Sequence, residues 1–188
     1  VVNGNVTIDR RVTVNGNVHL ILADGCNLTV NGGINVSEGN SLTIYAQSAG
    51  EGMGKLITTG SVSVAGIGGI WFYGADSANC TSGTITINGG MVKATGGDSS
   101  AGIGGSSSGG TGGTITINGG TVTATGGVNS AGIGGDGGSI TINSGTVTAT
   151  GGSGGAGIGS GRESSAGGTI TINGGHVTAN GSQGSKQY

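Results

Sequence analysis

Apolar and polar residues alternate along this chain in short bursts, and the bursts recur. In Thr84-Ile85-Thr86-Ile87 the two Ile share one face and the two Thr the other, the two-residue period of a half-buried strand. The segment returns at Thr114, as Ser139-Ile140-Thr141-Ile142, and at Thr169. A second segment follows each time, as in Thr121-Val122-Thr123-Ala124-Thr125, whose inward pair is Val122 and Ala124. A third, Ala-Gly-Ile, starts at Ala65, Ala101, Ala131 and Ala156. From the first Ile of a unit to the Ile of its Ala-Gly-Ile the separation is constant: 85 to 103, 115 to 133 and 140 to 158 are each 18. Onward to the next unit it varies: 67 to 85 is 18, 103 to 115 is 12, 133 to 140 is 7 and 158 to 170 is 12. A locked stretch with insertions confined to one corner is how a solenoid behaves. The pattern predicts an all-β, three-sided parallel β-helix with three short strands per coil and about 25–30 residues per coil.

The stretch from 1 to 64 is a variant of the same theme. Val6-Thr7-Ile8, Val12-Thr13-Val14, His19-Leu20-Ile21-Leu22, Leu28-Thr29-Val30, Leu42-Thr43-Ile44 and Leu56-Ile57 are alternating or apolar strands broken by Asn-Gly, Asp-Gly and Gly-Gly turns. Its side chains are larger and its charges more frequent. The expected organisation is one domain over residues 1–188, with 1–64 as variant coils and a cap and 65–188 as regular repeats, since terminal coils of a solenoid are atypical. No matching cap follows His176-Val177-Thr178-Ala179. The edge there is expected to be covered or the native protein to continue, because an open edge invites pairing.

Composition narrows the class. Of 188 residues 49 are Gly and none is Pro, only 7% are charged, and net charge is −2. Collagen requires Gly at every third position with abundant Pro. An ordinary helical domain would lose about 1 kcal/mol at each interior Gly. Disorder usually joins low hydrophobicity to high net charge, whereas mean hydropathy here is +0.11. The six cations Arg10, Arg11, Lys55, Lys93, Arg162 and Lys186 are scattered, which argues against a nucleic-acid partner. No apolar run approaches the 18 or so residues of a membrane span, so no membrane insertion is expected. Cys26 and Cys80 either pair or stand as two small buried thiols; neither belongs to a Cys-x-x-Cys.

The chemistry is sparse. The asparagines that close the first segment, Asn88, Asn118, Asn143 and Asn173, read as structural: Asn suits a corner backbone and stacked amides can bond one another. From Gly83 onward the charged residues are Lys93, Asp98, Asp136, Arg162, Glu163 and Lys186. They do not recur at equivalent places on neighbouring coils, so no carboxylate pair or cationic cluster for polysaccharide cleavage is built. No catalytic residue, metal site or cofactor is expected. Gly134-Gly135-Asp136-Gly137-Gly138 only faintly resembles a calcium β-roll, and its Asp does not recur. Two surface features remain. One is an outward Thr array: Thr84, Thr86, Thr114, Thr116, Thr169 and Thr171 on one strip, Thr121, Thr123, Thr146 and Thr148 on another, with Met91, Lys93 and His176 interrupting the second. Such a lattice either orders water, as an ice-binding face, or reflects the fitness of Thr for exposed strands. The other is Trp71-Phe72-Tyr73, which holds the only Trp and the only Phe and lies in the longest insertion. Exposed, these rings form a sugar-stacking platform; buried, they cover the core.

The run Leu22-Ala23-Asp24-Gly25-Cys26-Asn27-Leu28-Thr29-Val30-Asn31-Gly32-Gly33-Ile34, then Ser41-Leu42-Thr43-Ile44-Tyr45, then repeats of Gly-Thr-Ile-Thr-Ile-Asn-Gly-Gly and Ala-Gly-Ile-Gly-Gly, resembles the right-handed parallel β-helix surface proteins of gut and soil bacteria, of adhesin or carbohydrate-binding type. The resemblance covers nearly the whole chain. It implies a right-handed coil, a secreted or cell-surface setting in bacteria, a polysaccharide or host glycan as partner, and further domains in a longer parent protein. More distantly the chain is similar to bacterial β-helix domains that bind acidic plant polysaccharide with calcium. Those carry Asp where this chain has Ala-Gly-Ile-Gly. The resulting expectation is a non-enzymatic module for adhesion or glycan binding through the variable loop edge, with an ice-binding face or a passive stalk as alternatives.

Overall fold

The computed structural model describes residues 1–71, 80–106, 111–162 and 168–183. Nineteen strands in this part form three parallel sheets. Sheet A holds β3 (Asn17–Leu22), β6 (Ser41–Ala46), β9 (Thr84–Ile87), β12 (Thr114–Ile117), β15 (Ser139–Ile142) and β18 (Thr169–Ile172). Sheet B holds β1 (Asn5–Ile8), β4 (Asn27–Asn31), β7 (Lys55–Thr59), β10 (Met91–Thr95), β13 (Thr121–Thr125), β16 (Thr146–Ser153) and β19 (His176–Ser182). Sheet C holds β2 (Val12–Thr13), β5 (Ile34–Asn35), β8 (Ile67–Gly68), β11 (Ile103–Gly104), β14 (Ile133–Gly134) and β17 (Ile158–Gly159). The chain visits A, B and C in turn, so every strand pairs with strands one coil away. This is a right-handed parallel β-helix, the hand that parallel crossovers almost always take.

Register is residue on like residue. Ile85 pairs with Ile115 and Ile115 with Ile140, Val92 with Val122 and Val122 with Val147, Ile103 with Ile133. These side chains are buried and form one continuous core with Leu22, Leu28, Leu42, Ile44 and Leu56 of the earlier coils. The alternation places every second side chain in a lumen that Ile, Val and Ala fill. At the last coil the column surfaces: Ile170 is 45% and Ile172 53% exposed.

The period is regular only from β9 onward. Thr84 to Thr114 is 30 residues, Thr114 to Ser139 is 25 and Ser139 to Thr169 is 30. Before that, Asn17 to Ser41 is 24 and Ser41 to Thr84 is 43. Insertion is therefore not confined to one corner along the whole chain. The corner from C to A varies as expected, but between β6 and β7 the corner from A to B is also widened, over residues 47–54. Its exposed residues are tied back at Gln47, whose N–H donates to the Leu22 carbonyl (3.0 Å), and at Ser48, whose hydroxyl donates to Asp24 (2.8 Å).

The second Gly of Ala-Gly-Ile-Gly has a role that spacing did not reveal. Gly68, Gly104, Gly134 and Gly159 lie inside sheet C with φ between 129° and 136°, a region that L side chains avoid. At Gly68, Gly104 and Gly134 a Cβ would collide with the carbonyl oxygen of the next coil's glycine. The column exists because the backbones approach where a side chain would stand. Cys26 precedes β4 at the A-to-B corner and Cys80 precedes β9 at the C-to-A corner. Both are buried thiols at different corners, and no disulfide joins them.

Candidate functional site

The variable corner, where the chain passes from sheet C to sheet A, is rebuilt differently on each coil. Neighbouring connections are nevertheless stitched together by backbone. The N–H of Gly83 donates to the Val36 carbonyl (2.7 Å), that of Thr84 to Asn40 (3.0 Å), that of Ser82 to Thr111 (3.0 Å) and that of Ser139 to Gly113 (2.8 Å). Asn40 ties the β5–β6 connection to the β2–β3 connection: its amide donates to the Ser37 carbonyl (3.2 Å) and its Oδ1 accepts from the Gly16 N–H (2.7 Å). Among the described residues these bonds tie the ends of neighbouring connections into one ledge.

Along this ledge runs an open groove of about 350 Å³. It crosses four consecutive connections, and its lining includes Glu38, Thr81, Ser82, Thr111 and Ser139 together with Gly39, Gly83, Gly113 and Gly137. The glycines let a ligand approach the main chain. Ser82 is 2% exposed and its hydroxyl has no hydrogen-bond partner. A buried hydroxyl left unpaired costs about 1–3 kcal/mol, and this one is closed off from solvent; the exposed hydroxyl-bearing residues of the groove are Thr84, Thr111, Thr114 and Ser139. Among the described residues that line the groove, Glu38 is the one carboxylate and none is a cation.

Trp71 is half-buried. Its main-chain N–H donates to the Ser63 carbonyl (2.7 Å), and the preceding Ile70 bridges antiparallel to Val64. The insertion thus leaves sheet C by folding back on the B-to-C corner, and Trp71 is not among the residues lining the groove. Phe72 and Tyr73 lie outside the described residues. Neither Ser82 nor Glu38 stood out in the sequence; the variable spacing marked their corner, and only the stitching shows that separate connections make one wall.

The Thr array has the register its spacing implies. On sheet A, Thr84, Thr114, Ser139 and Thr169 form one column and Thr86, Thr116, Thr141 and Thr171 the next. On sheet B, Thr121 meets Thr146 and Thr123 meets Thr148, but the neighbours beyond are Met91 and Lys93 on one side and His176 on the other. Beside the sheet A columns the asparagines form a ladder: the amide of Asn118 donates to Asn88 (2.8 Å), that of Asn143 to Asn118 (2.7 Å) and that of Asn173 to Asn143 (2.8 Å). These four are structural, as their corner positions implied.

Among the described residues no three His, Cys, Asp or Glu side chains gather as metal ligands, and no helix is long and apolar enough to cross a membrane. Burial raises the Cys80 thiol above its ordinary pKa, opposed by a hydrogen bond to Ser106, which disfavours the thiolate that a nucleophile needs.

Stacked coils, like-on-like columns and loops gathered on edges define the class: a parallel β-helix repeat protein. The regular coils match a family model described as a beta helix repeat, over residues 85–107, 115–138, 140–162 and 170–185. No curated protein and no solved structure matches the chain.

Proposed function

We propose that this protein is a non-catalytic module that binds a carbohydrate along its variable corner, as an adhesion or glycan-binding element of an exported bacterial surface protein with further domains. The observation that carries the reading is the open groove over four coils, lined by the exposed Thr84, Thr111, Thr114 and Ser139. A sugar supplies hydroxyls that donate and accept, and a long site across coils suits a chain of such units. Loops on a rigid scaffold are where binding usually lives. Among the described residues no acid–base pair lines the groove, which supports binding without cleavage.

The test is a glycan array read with the wild type, Ser82→Ala, a Thr84→Val/Thr114→Val variant and Trp71→Ala. Binding that drops in the groove variants supports the groove. Loss confined to Trp71→Ala moves the site to the aromatic insertion. Absence of any glycan bound by the wild type overturns the reading. The Thr86–Thr116–Thr141–Thr171 column of sheet A, beside one broken only by Ser139, favours a second reading, an ice-binding face, which thermal hysteresis and its loss in Thr116→Tyr would identify.

A further inference from the structure

The outward face of sheet B carries a patch unlike the rest of the lattice. In β7 the outward residues are Lys55 and Ile57, and in β10 they are Met91 and Lys93. Register sets Lys55 beside Met91 and Ile57 beside Lys93. The four make a checkerboard, with cations on one diagonal and apolar side chains on the other. Between them lies a shallow hollow of about 180 Å³, also lined by the Val92 main chain and by Thr121 and Thr123 of the next coil. Met91 is 39% exposed. Among the described residues no carboxylate lines the hollow, so the two lysines flank its apolar side chains with no anion in the lining. A large exposed apolar side chain at such a place marks an interaction surface more often than an isolated one does.

We propose that this hollow docks a segment of another protein that carries one apolar anchor flanked by carboxylates. Charge complementarity sets the flanks and the hollow sets the anchor. Coils repeat at about 4.8 Å and alternate residues at about 6.8 Å, so the two Lys Cα atoms stand about 8 Å apart on the diagonal. An extended segment with acid, apolar and acid residues at alternate positions spaces its carboxylates about 13.6 Å apart. The flexible four-carbon stems of two lysines splayed outward span the difference. The apolar side chains at the hollow are aliphatic, Ile57 and Met91, whereas sugar rings prefer the flat face of an aromatic. That favours a protein side chain over a glycan here. Met adapts its shape to what it meets, as at other peptide-binding surfaces. The site is separate from the corner groove and does not depend on it.

Fluorescence anisotropy with the labelled peptide Glu-Ser-Leu-Ser-Glu at low salt tests the proposal. The wild type is expected to bind it and to lose affinity as salt rises. Lys55→Gln/Lys93→Gln is expected to weaken binding roughly tenfold, Met91→Thr to weaken it as well, and Lys93→Arg to keep it. These positions point outward and Thr already occupies their equivalents in later coils, so the variants retain the fold, which a melting curve checks. Ser82→Ala is expected to leave this binding unchanged, which separates it from the groove. Absence of binding, equal binding of Lys-Ser-Leu-Ser-Lys, or unchanged affinity in the double Lys variant overturns the proposal. So does equal competition by anionic lipid vesicles or by a polyuronate, or self-association that masks the patch in sedimentation.

Discussion

In the regular coils Ile85, Ile115 and Ile140 stack one over another, whereas in the N-terminal coils the same column reads Val18 and Leu42. The adjacent sheet shows the same contrast: Ala94, Ala124 and Ala149 follow Ile8, Val30 and Thr58. Outward contacts differ in kind. The later coils hold register with one repeated device, the Asn88–Asn118–Asn143–Asn173 ladder. The earlier coils use a different contact at each step. The Asn31 amide donates to Asp9 (2.7 Å), the Ser41 hydroxyl to Asn17 (2.8 Å), and His19 stacks on Tyr45 with centroids 5.8 Å apart. Tyr45 follows Ile44, the partner of Ile87, and so stands where the ladder would continue. A β-helix therefore needs complementary volumes inside and some polar tie outside, and identity is only the simplest way to supply both.

Substitutions can break or sharpen this contrast. The largest effect is expected at the sheet C glycines. Gly134→Ala should cost about 3–5 kcal/mol, because φ is unfavourable and the Cβ meets Gly159. Asn35 pairs with Gly68 at the start of that column, and its buried Oδ1 has no partner. Asn35→Ala should therefore cost far less, and urea melts of the two variants measure the gap. Next, Ile115→Ala should cost about 2–5 kcal/mol, while Ile170→Ala, at the exposed end of the same column, should cost a fraction of that; hydrogen exchange across β12 and β18 checks it. Asn118→Ala removes two solvent-exposed amide bonds and should cost about 1 kcal/mol. Ser99→Gly should stabilise by up to about 1 kcal/mol. Ser63, Ser99 and Asn129 hold φ near 61–62° at one corner of successive coils, where the next coil has Gly154.

The smallest effect concerns pH. Burial raises the Cys80 pKa in the folded protein, so the native state holds its proton more tightly than the unfolded chain does. Its contribution is complete below the unfolded thiol value of about 8.5 and declines as pH rises through the folded value. Melting temperatures over pH 8 to 10 should fall, and Cys80→Ala should flatten part of that slope. A slope unchanged in this variant would show that the thiol is not its source.

The sequence was enough for the winding, the three strands per coil, the inward columns and the Asn ladder. The reason is that every one of those features repeats, and a periodic alternation has a single geometric reading. It also marked the corner where connections differ. Tertiary structure alone decided what does not repeat. Lys55 and Met91 are 36 residues apart in the chain, outside the regular period, yet adjacent in register. Ser82, Thr111 and Glu38 become one wall through backbone bonds between loops of unlike length. Gly134 is a strand residue that the pattern did not single out, because only the stacked coils show how close the next carbonyl lies. Local pattern fixes which face a residue turns, while the neighbour it meets on the next coil depends on how much chain the corners consume in between.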